Sequence, residues 1–140
     1  MRKPWAVSLY LLLSIAAASG TQREGSPGDQ YLGTWAGTWE MPGVSSGGFE
    51  LTLEKNTEGA MSGRVSVTGD PTYKAVLKTL SFDGAKLAAR YDFPPDERAE
   101  VHLAATFDGS SASGSWSLRE KANSGTEVAS GTWKVKKKAS

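Results

Sequence analysis

From Tyr31 onward, apolar and polar residues alternate with a period of two rather than 3.6. In "FELTLEK", Phe49, Leu51 and Leu53 share one face, and Glu50, Thr52 and Glu54 share the other. Met61, Gly63, Val65 and Val67 oppose Ser62, Arg64 and Ser66 in the same way. Leu87, Ala89, Tyr91 and Phe93 oppose Lys86, Arg90 and Asp92; Val101, Leu103, Ala105 and Phe107 oppose Glu100, His102 and Thr106. Successive side chains of a strand point to opposite faces, so each segment reads as a strand with one buried and one solvated face. No helical stripe of useful length interrupts the series. One stretch slips phase. Tyr73, Ala75 and Leu77 alternate in one register and Leu80 and Phe82 in the other, which predicts a β-bulge near Lys78-Thr79.

Turn signals divide this pattern into eight strands, at 31–40, 47–55, 60–68, 73–82, 85–92, 98–107, 112–120 and 126–137. "NTEG" at Asn56–Gly59, and "DG" at Asp83-Gly84 and Asp108-Gly109, supply the left-handed backbone that tight hairpins need. In an up-and-down meander these three connections lie at one end. The other end collects Met41–Gly48, Gly69–Thr72, Phe93–Arg98 and Lys121–Thr126, together with Pro42, Pro71, Pro94 and Pro95. The predicted fold is all-β, an eight-stranded antiparallel up-and-down barrel with one tight end and one mouth of longer loops.

The motif "GTWAGTW" (Gly33–Trp39) fits that fold, and it returns as Gly114–Trp116 and Gly131–Trp133. Gly33, Trp35, Gly37 and Trp39 fall on one face of an extended strand. A narrow barrel interior accommodates indoles where a neighbouring strand carries glycine. Core packing is therefore the first role of these tryptophans, with Trp35, Trp116 and Trp133 expected to be largely buried. In a closed meander the first and last strands pair, which brings Trp35 or Trp39 near Trp133.

The N-terminus reads differently. "MRK" is basic, "PWAVSLYLLLSIAAAS" is apolar and thins into small residues, and Ala16–Ala18 or Ala18–Gly20 suits a cleavage site. Residues 1–20 are predicted to be a secretory signal peptide. The run is shorter than the roughly 20 apolar residues of a membrane span. Residues 21–30 form a polar, flexible lead-in and 31–138 a single β-barrel domain, secreted or periplasmic. Without Arg2 and Lys3, 14 basic residues face 15 acidic ones, a balance that does not favour nucleic acid as a partner. Cysteine is absent, so the domain depends on its apolar core.

Gly33 and Trp35 in the first strand, an eight-strand meander and a basic last strand resemble the calycins: lipocalins, fatty-acid-binding proteins and avidins. The resemblance implies a small-molecule-binding barrel. It also implies a basic residue from the last strand over Trp35, for which Lys134 and Lys136 are candidates. The chain departs from these families in having no evident Thr-Asp-Tyr motif and no helical lid after strand one. Gly37 stands where avidins carry Asn, so no biotin-binding residue is carried over. The chain is also similar to small periplasmic inhibitors of secreted metalloproteases in size and Lys-rich C-terminus, although it cannot form their disulfide.

Catalytic groupings are sparse. His102 is the one histidine and alternates onto the face of Glu100. Asp70, Asp96 and Glu97 lie on mouth loops, where solvation explains them as readily as acid–base or Ca²⁺ chemistry. Lys134, Lys136, Lys137 and Lys138 suit a soluble edge as well as an anionic partner. "VSSGG" precedes a strand rather than a helix and is not a phosphate loop. The expected function is therefore non-enzymatic, without metal or cofactor. It is the binding of a small apolar ligand at Trp39, Tyr73, Tyr91 and Phe93 in the mouth. The alternative is an interaction protein, a protease inhibitor or envelope accessory factor, whose loops take a protein partner while side chains fill the barrel. A lumen cavity of about 300 Å³ or more favours the first reading, and a filled barrel favours the second.

Overall fold

The structure is a computed structural model that describes residues 28–122 and 125–138. The expected signal peptide and most of the lead-in lie outside the described residues. A short 3-10 turn at Asp29–Tyr31 precedes nine strands. These are β1 (Gly33–Met41), β2 (Ser45–Lys55), β3 (Met61–Val67), β4 (Tyr73–Val76), β5 (Thr79–Asp83), β6 (Lys86–Asp92), β7 (Ala99–Asp108), β8 (Ser111–Glu120) and β9 (Glu127–Lys137). They form one antiparallel sheet in the order β4-β3-β2-β1-β9-β8-β7-β6-β5. The period-two pattern thus becomes a strongly curled meander, with β1 and β9 paired as the first and last strands.

Two features differ from the predicted closed eight-strand barrel: there are nine strands, and the barrel is open. Both differences arise at the phase slip. The predicted fourth strand, 73–82, divides into β4 and β5, and its halves serve opposite edges of the sheet. Tyr73 to Val76 pair with Val67 to Arg64 of β3, whereas Thr79 to Asp83 pair with Arg90 to Lys86 of β6. The switch is abrupt: the Leu77 N–H donates to the Gly63 carbonyl, and the Lys78 N–H donates to the Arg90 carbonyl. A bulge would have kept one strand paired on both flanks along its length. Here each half has one partner strand, so a seam runs between the two edges.

The inward face carries the core. Trp35 is fully buried, and Leu51, Leu53, Val65 and Tyr91 are each at most 1% exposed. Aromatic contacts close one end of the barrel. At the tight end, Tyr31 stacks on Phe82 at 5.1 Å between centroids and tilts against Phe107 at 4.7 Å. Trp35 meets Phe107 edge-on at 4.8 Å, and its Nε1–H donates to the Tyr31 carbonyl at 2.9 Å. The chain entering β1 therefore plugs that end with its own aromatic ring.

Glycine makes room for indoles at two places. A Cβ on Gly131 would fall 2.7 Å from Trp116 Nε1, and one on Gly47 would fall 2.7 Å from Trp39 Nε1. Backbone approaches closely at both of these sites and at Gly37 and Gly114 too: a Cβ would strike the carbonyl of Glu40 at Gly131, of Thr68 at Gly47, of Lys134 at Gly37 and of Ala104 at Gly114. All four glycines therefore allow close backbone approach, and Gly131 and Gly47 make room for an indole as well.

Candidate functional site

The opposite end holds a cavity of about 100 Å³ that opens at the mouth. Its walls come from β1, β2, β3, β4, β6, β7, β8 and β9 and from the connections that join them. All four residues singled out from the sequence, Trp39, Tyr73, Tyr91 and Phe93, line it. Trp39 arrives two residues before the end of β1. Tyr73 opens β4, Tyr91 stands near the end of β6, and Phe93 follows that strand. Alternation places Trp39, Tyr73 and Tyr91 inward, and chain direction brings their ends together.

Other wall residues escaped the sequence reading. Met41, Phe49, Val67, Val101, Leu103 and Leu118 line the cavity as well, and Asp70 and Pro71 stand at its rim. Trp116 is not the largely buried core residue that its motif predicts. It instead lines the mouth cavity edge-on to Trp39, with ring centroids 6.1 Å apart, and is only half-buried. The register explains this position: Trp116 pairs with Gly131 of β9 and Leu103 of β7, well above the Phe107 level. That register was legible in principle, because the Asp108-Gly109 turn counts residues out along both β7 and β8.

The polar groups of the cavity are few, and most are engaged. Trp39 Nε1–H donates to the Thr68 carbonyl at 3.0 Å, and Trp116 Nε1–H donates to the Glu40 carbonyl at 3.3 Å. Both indoles are therefore pinned by backbone acceptors and present carbon faces to the lumen. The Tyr73 and Tyr91 hydroxyls lie 2.7 Å apart and bond to each other. Burial pushes both phenols above the ordinary tyrosine range; for Tyr73 the bond to Tyr91 partly offsets this. Phe93 meets the Tyr73 ring edge-on at 5.4 Å. Asp70 is the one charged side chain among these lining residues, and it is exposed.

The loops around the mouth are shorter than expected on one side. β2 begins at Ser45, so Pro42–Val44 alone link β1 to β2, with the Val44 N–H closing on the Met41 carbonyl at 2.9 Å. The Gly69–Thr72 loop is tied by Thr72, whose hydroxyl donates to the Gly69 carbonyl at 3.0 Å. In the Phe93–Arg98 loop, Asp96 accepts two bonds at 3.0 Å from the Arg98 guanidinium, which holds its carboxyl below the usual range. Of the Lys121–Thr126 loop, Asn123 and Ser124 lie outside the described residues.

The remaining candidates are dispersed. His102 bonds to Glu100 at 2.8 Å on the outer wall, away from the lumen. Glu100 is also bridged by Lys78 at 2.9 Å and Arg90 at 3.4 Å, and these cations hold its carboxyl below the usual range, Lys78 foremost. Lys134 and Lys136 are exposed, and Lys137 covers Trp35 in their place, with its Nζ 5.7 Å from the ring centroid. Among the described residues, no helix is long and apolar enough to cross a membrane. Neither a known protein family nor a curated protein matches the chain. The open half-barrel is compatible in architecture with a calycin-like barrel.

Proposed function

We propose that this chain is an exported β-barrel cup that binds a small apolar ligand in the cavity bounded by Trp39, Tyr73, Tyr91 and Phe93. The observation that carries this reading is one apolar cavity at the loop end of a barrel whose other end is plugged by Tyr31. Its volume limits the occupant. About 100 Å³ lies well below the roughly 300 Å³ from which pockets for drug-sized ligands begin. It is closer to the dry cavities of about 150 Å³ that take up benzene. The ligand is a molecule of that size, or a larger one that inserts a single ring or short chain and leaves the rest outside. Titration with benzene-sized hydrocarbons, short-chain fatty acids and retinoids, read by tryptophan fluorescence, tests this. The smallest apolar probes are expected to quench, and Trp39→Phe to remove most of the change.

A second reading has its own support. The cavity is smaller than the size set above for a ligand barrel, and Val44 and Val128 are 72% and 53% exposed beside the mouth connections. Both observations suit an interaction protein whose loops dock on a partner. Fluorescence unmoved by every probe favours this reading over the first.

A further inference from the structure

Among the described residues, the side chains lining the mouth cavity carry a single uncommitted hydrogen-bond donor. Two phenols bring two hydroxyl protons, and their mutual bond uses one. Among the described residues, no second partner meets either hydroxyl, and both indole N–H groups on the cavity wall donate to backbone carbonyls. Burial decides which phenol keeps the free proton. Tyr91 is 1% exposed, whereas Tyr73 is half-buried at the seam. A free O–H on Tyr91 would sit unsatisfied among apolar side chains, which is costly. Tyr91 therefore donates to Tyr73, and the Tyr73 O–H is left for an occupant of the cavity.

We propose that the ligand of this cup is a neutral apolar molecule with one hydrogen-bond acceptor, a carbonyl or ether oxygen, that takes the free proton of the Tyr73–Tyr91 pair. The inference rests on the reading of the cavity as a ligand site. Charge on the lining argues for neutrality. Among the described residues, no lysine, arginine or histidine lines the cavity, and the one charged residue that does, Asp70, repels anions. A carboxylate would enter without a counter-ion, at a large desolvation cost. Burial weakens both phenols as acids, which keeps the pair protonated, and thus a donor, across the physiological range. The pair also spans β4 and β6, the two strands that face each other across the seam, so a bound acceptor would sit where the barrel wall lacks a ladder.

The test uses cyclohexanone and methylcyclohexane, nearly equal in size and differing in the acceptor, with cyclohexanecarboxylate as the anionic control. Binding is followed by the Trp39 indole N–H resonance in the wild type and in the Tyr73→Phe/Tyr91→Phe double variant. Both single variants keep one free hydroxyl, so the double variant is the informative one. The affinity ratio of ketone to hydrocarbon is expected to fall about fivefold or more in the double variant, the weight of one neutral hydrogen bond. The carboxylate is expected to bind most weakly. An unchanged ratio, or a carboxylate that binds best, overturns the proposal while leaving the cup reading intact. Neither cyclic probe moving the resonance in the wild type overturns both. If the double variant fails to fold, the carbonyl stretch of bound ketone in the wild type decides. A red shift relative to hydrocarbon solvent supports the donor, and its absence overturns it.

Discussion

Lys137 lies directly across from Trp35 in the β1–β9 register and holds its ammonium 5.7 Å from the centroid of the Trp35 ring. The indole is fully buried on its lumen side by Tyr31 and Phe107, and the lysine covers it at the rim of the tight end. A cation over an indole contributes about 0.5–1 kcal/mol at an exposed site, with the packing of the lysine stem in addition. Lys137→Ala is expected to lower unfolding stability by about 1 kcal/mol, whereas Lys134→Ala and Lys136→Ala change it little. Chemical denaturation of the three variants checks this, and equal losses at all three would remove the special role of Lys137.

The tryptophans are expected to separate by depth. Trp35→Ala and Trp133→Ala each remove a buried indole and are expected to cost about 3–5 kcal/mol. Trp133 packs on Phe49 at 5.0 Å and donates to the Ser115 carbonyl at 3.0 Å, so its loss also orphans an acceptor. Trp116→Ala is expected to cost less, because half-burial already leaves part of that ring in the mouth. Denaturant midpoints of the three variants give the order directly, and a loss at Trp116 as large as at Trp35 would contradict it.

Two glycines are expected to be intolerant for a backbone reason. Gly37→Ala or Gly114→Ala drives a methyl into a carbonyl of the adjacent strand, which requires the ladder to shift. A loss of more than about 2 kcal/mol or failure to fold is expected. Gly59→Ala is the contrast, since a Cβ there meets open space and the cost comes only from its φ of 82°. Comparable stability of Gly37→Ala and Gly59→Ala would mean that the β1–β9 approach is looser than described.

Acid sensitivity is expected to pass through Glu100. Its folded-state carboxyl is held below the ordinary value, first by Lys78. The depressed folded-state value means that its stabilising contribution is present above the unfolded carboxylate range and fades as pH falls through the folded value. Glu100→Gln is therefore expected to lower stability at pH 7 by about 1 kcal/mol or less, as suits a surface network, and to match the wild type near about pH 2. Thermal melts at both pH values measure this. A difference that persists undiminished in acid would trace the effect to packing instead.

Export is tested at the chain's start. The mature protein recovered from the expressing cell is expected to begin between Ser19 and Thr21. An intact Met1 on a membrane-bound product would overturn the signal-peptide reading.

Local pattern decided most of the strands. Seven of the eight predicted segments recur within two residues of β1, β2, β3, β6, β7, β8 and β9, because period-two alternation and Asp-Gly turns act over a few residues. The same pattern and the parity of connections carried Trp39, Tyr73, Tyr91 and Phe93 to one end. The same alternation identifies the lysine over Trp35. Trp133 and Val135 face inward, so the next inward position is Lys137, and the outward Lys134 and Lys136 cannot reach Trp35. Three features depend on contacts between residues distant in the chain. The first is the division of 73–82 between β3 and β6, which follows from competition between two flanks for one run of N–H and C=O groups. The second is the placement of Trp116 beside Trp39, set by how β8 and β1 flank β9. The third is the cavity's size, which is whatever volume the inward side chains of a curled sheet leave unfilled. Alternation specifies which face a residue takes; only the closed packing of all those faces determines how much space is left between them.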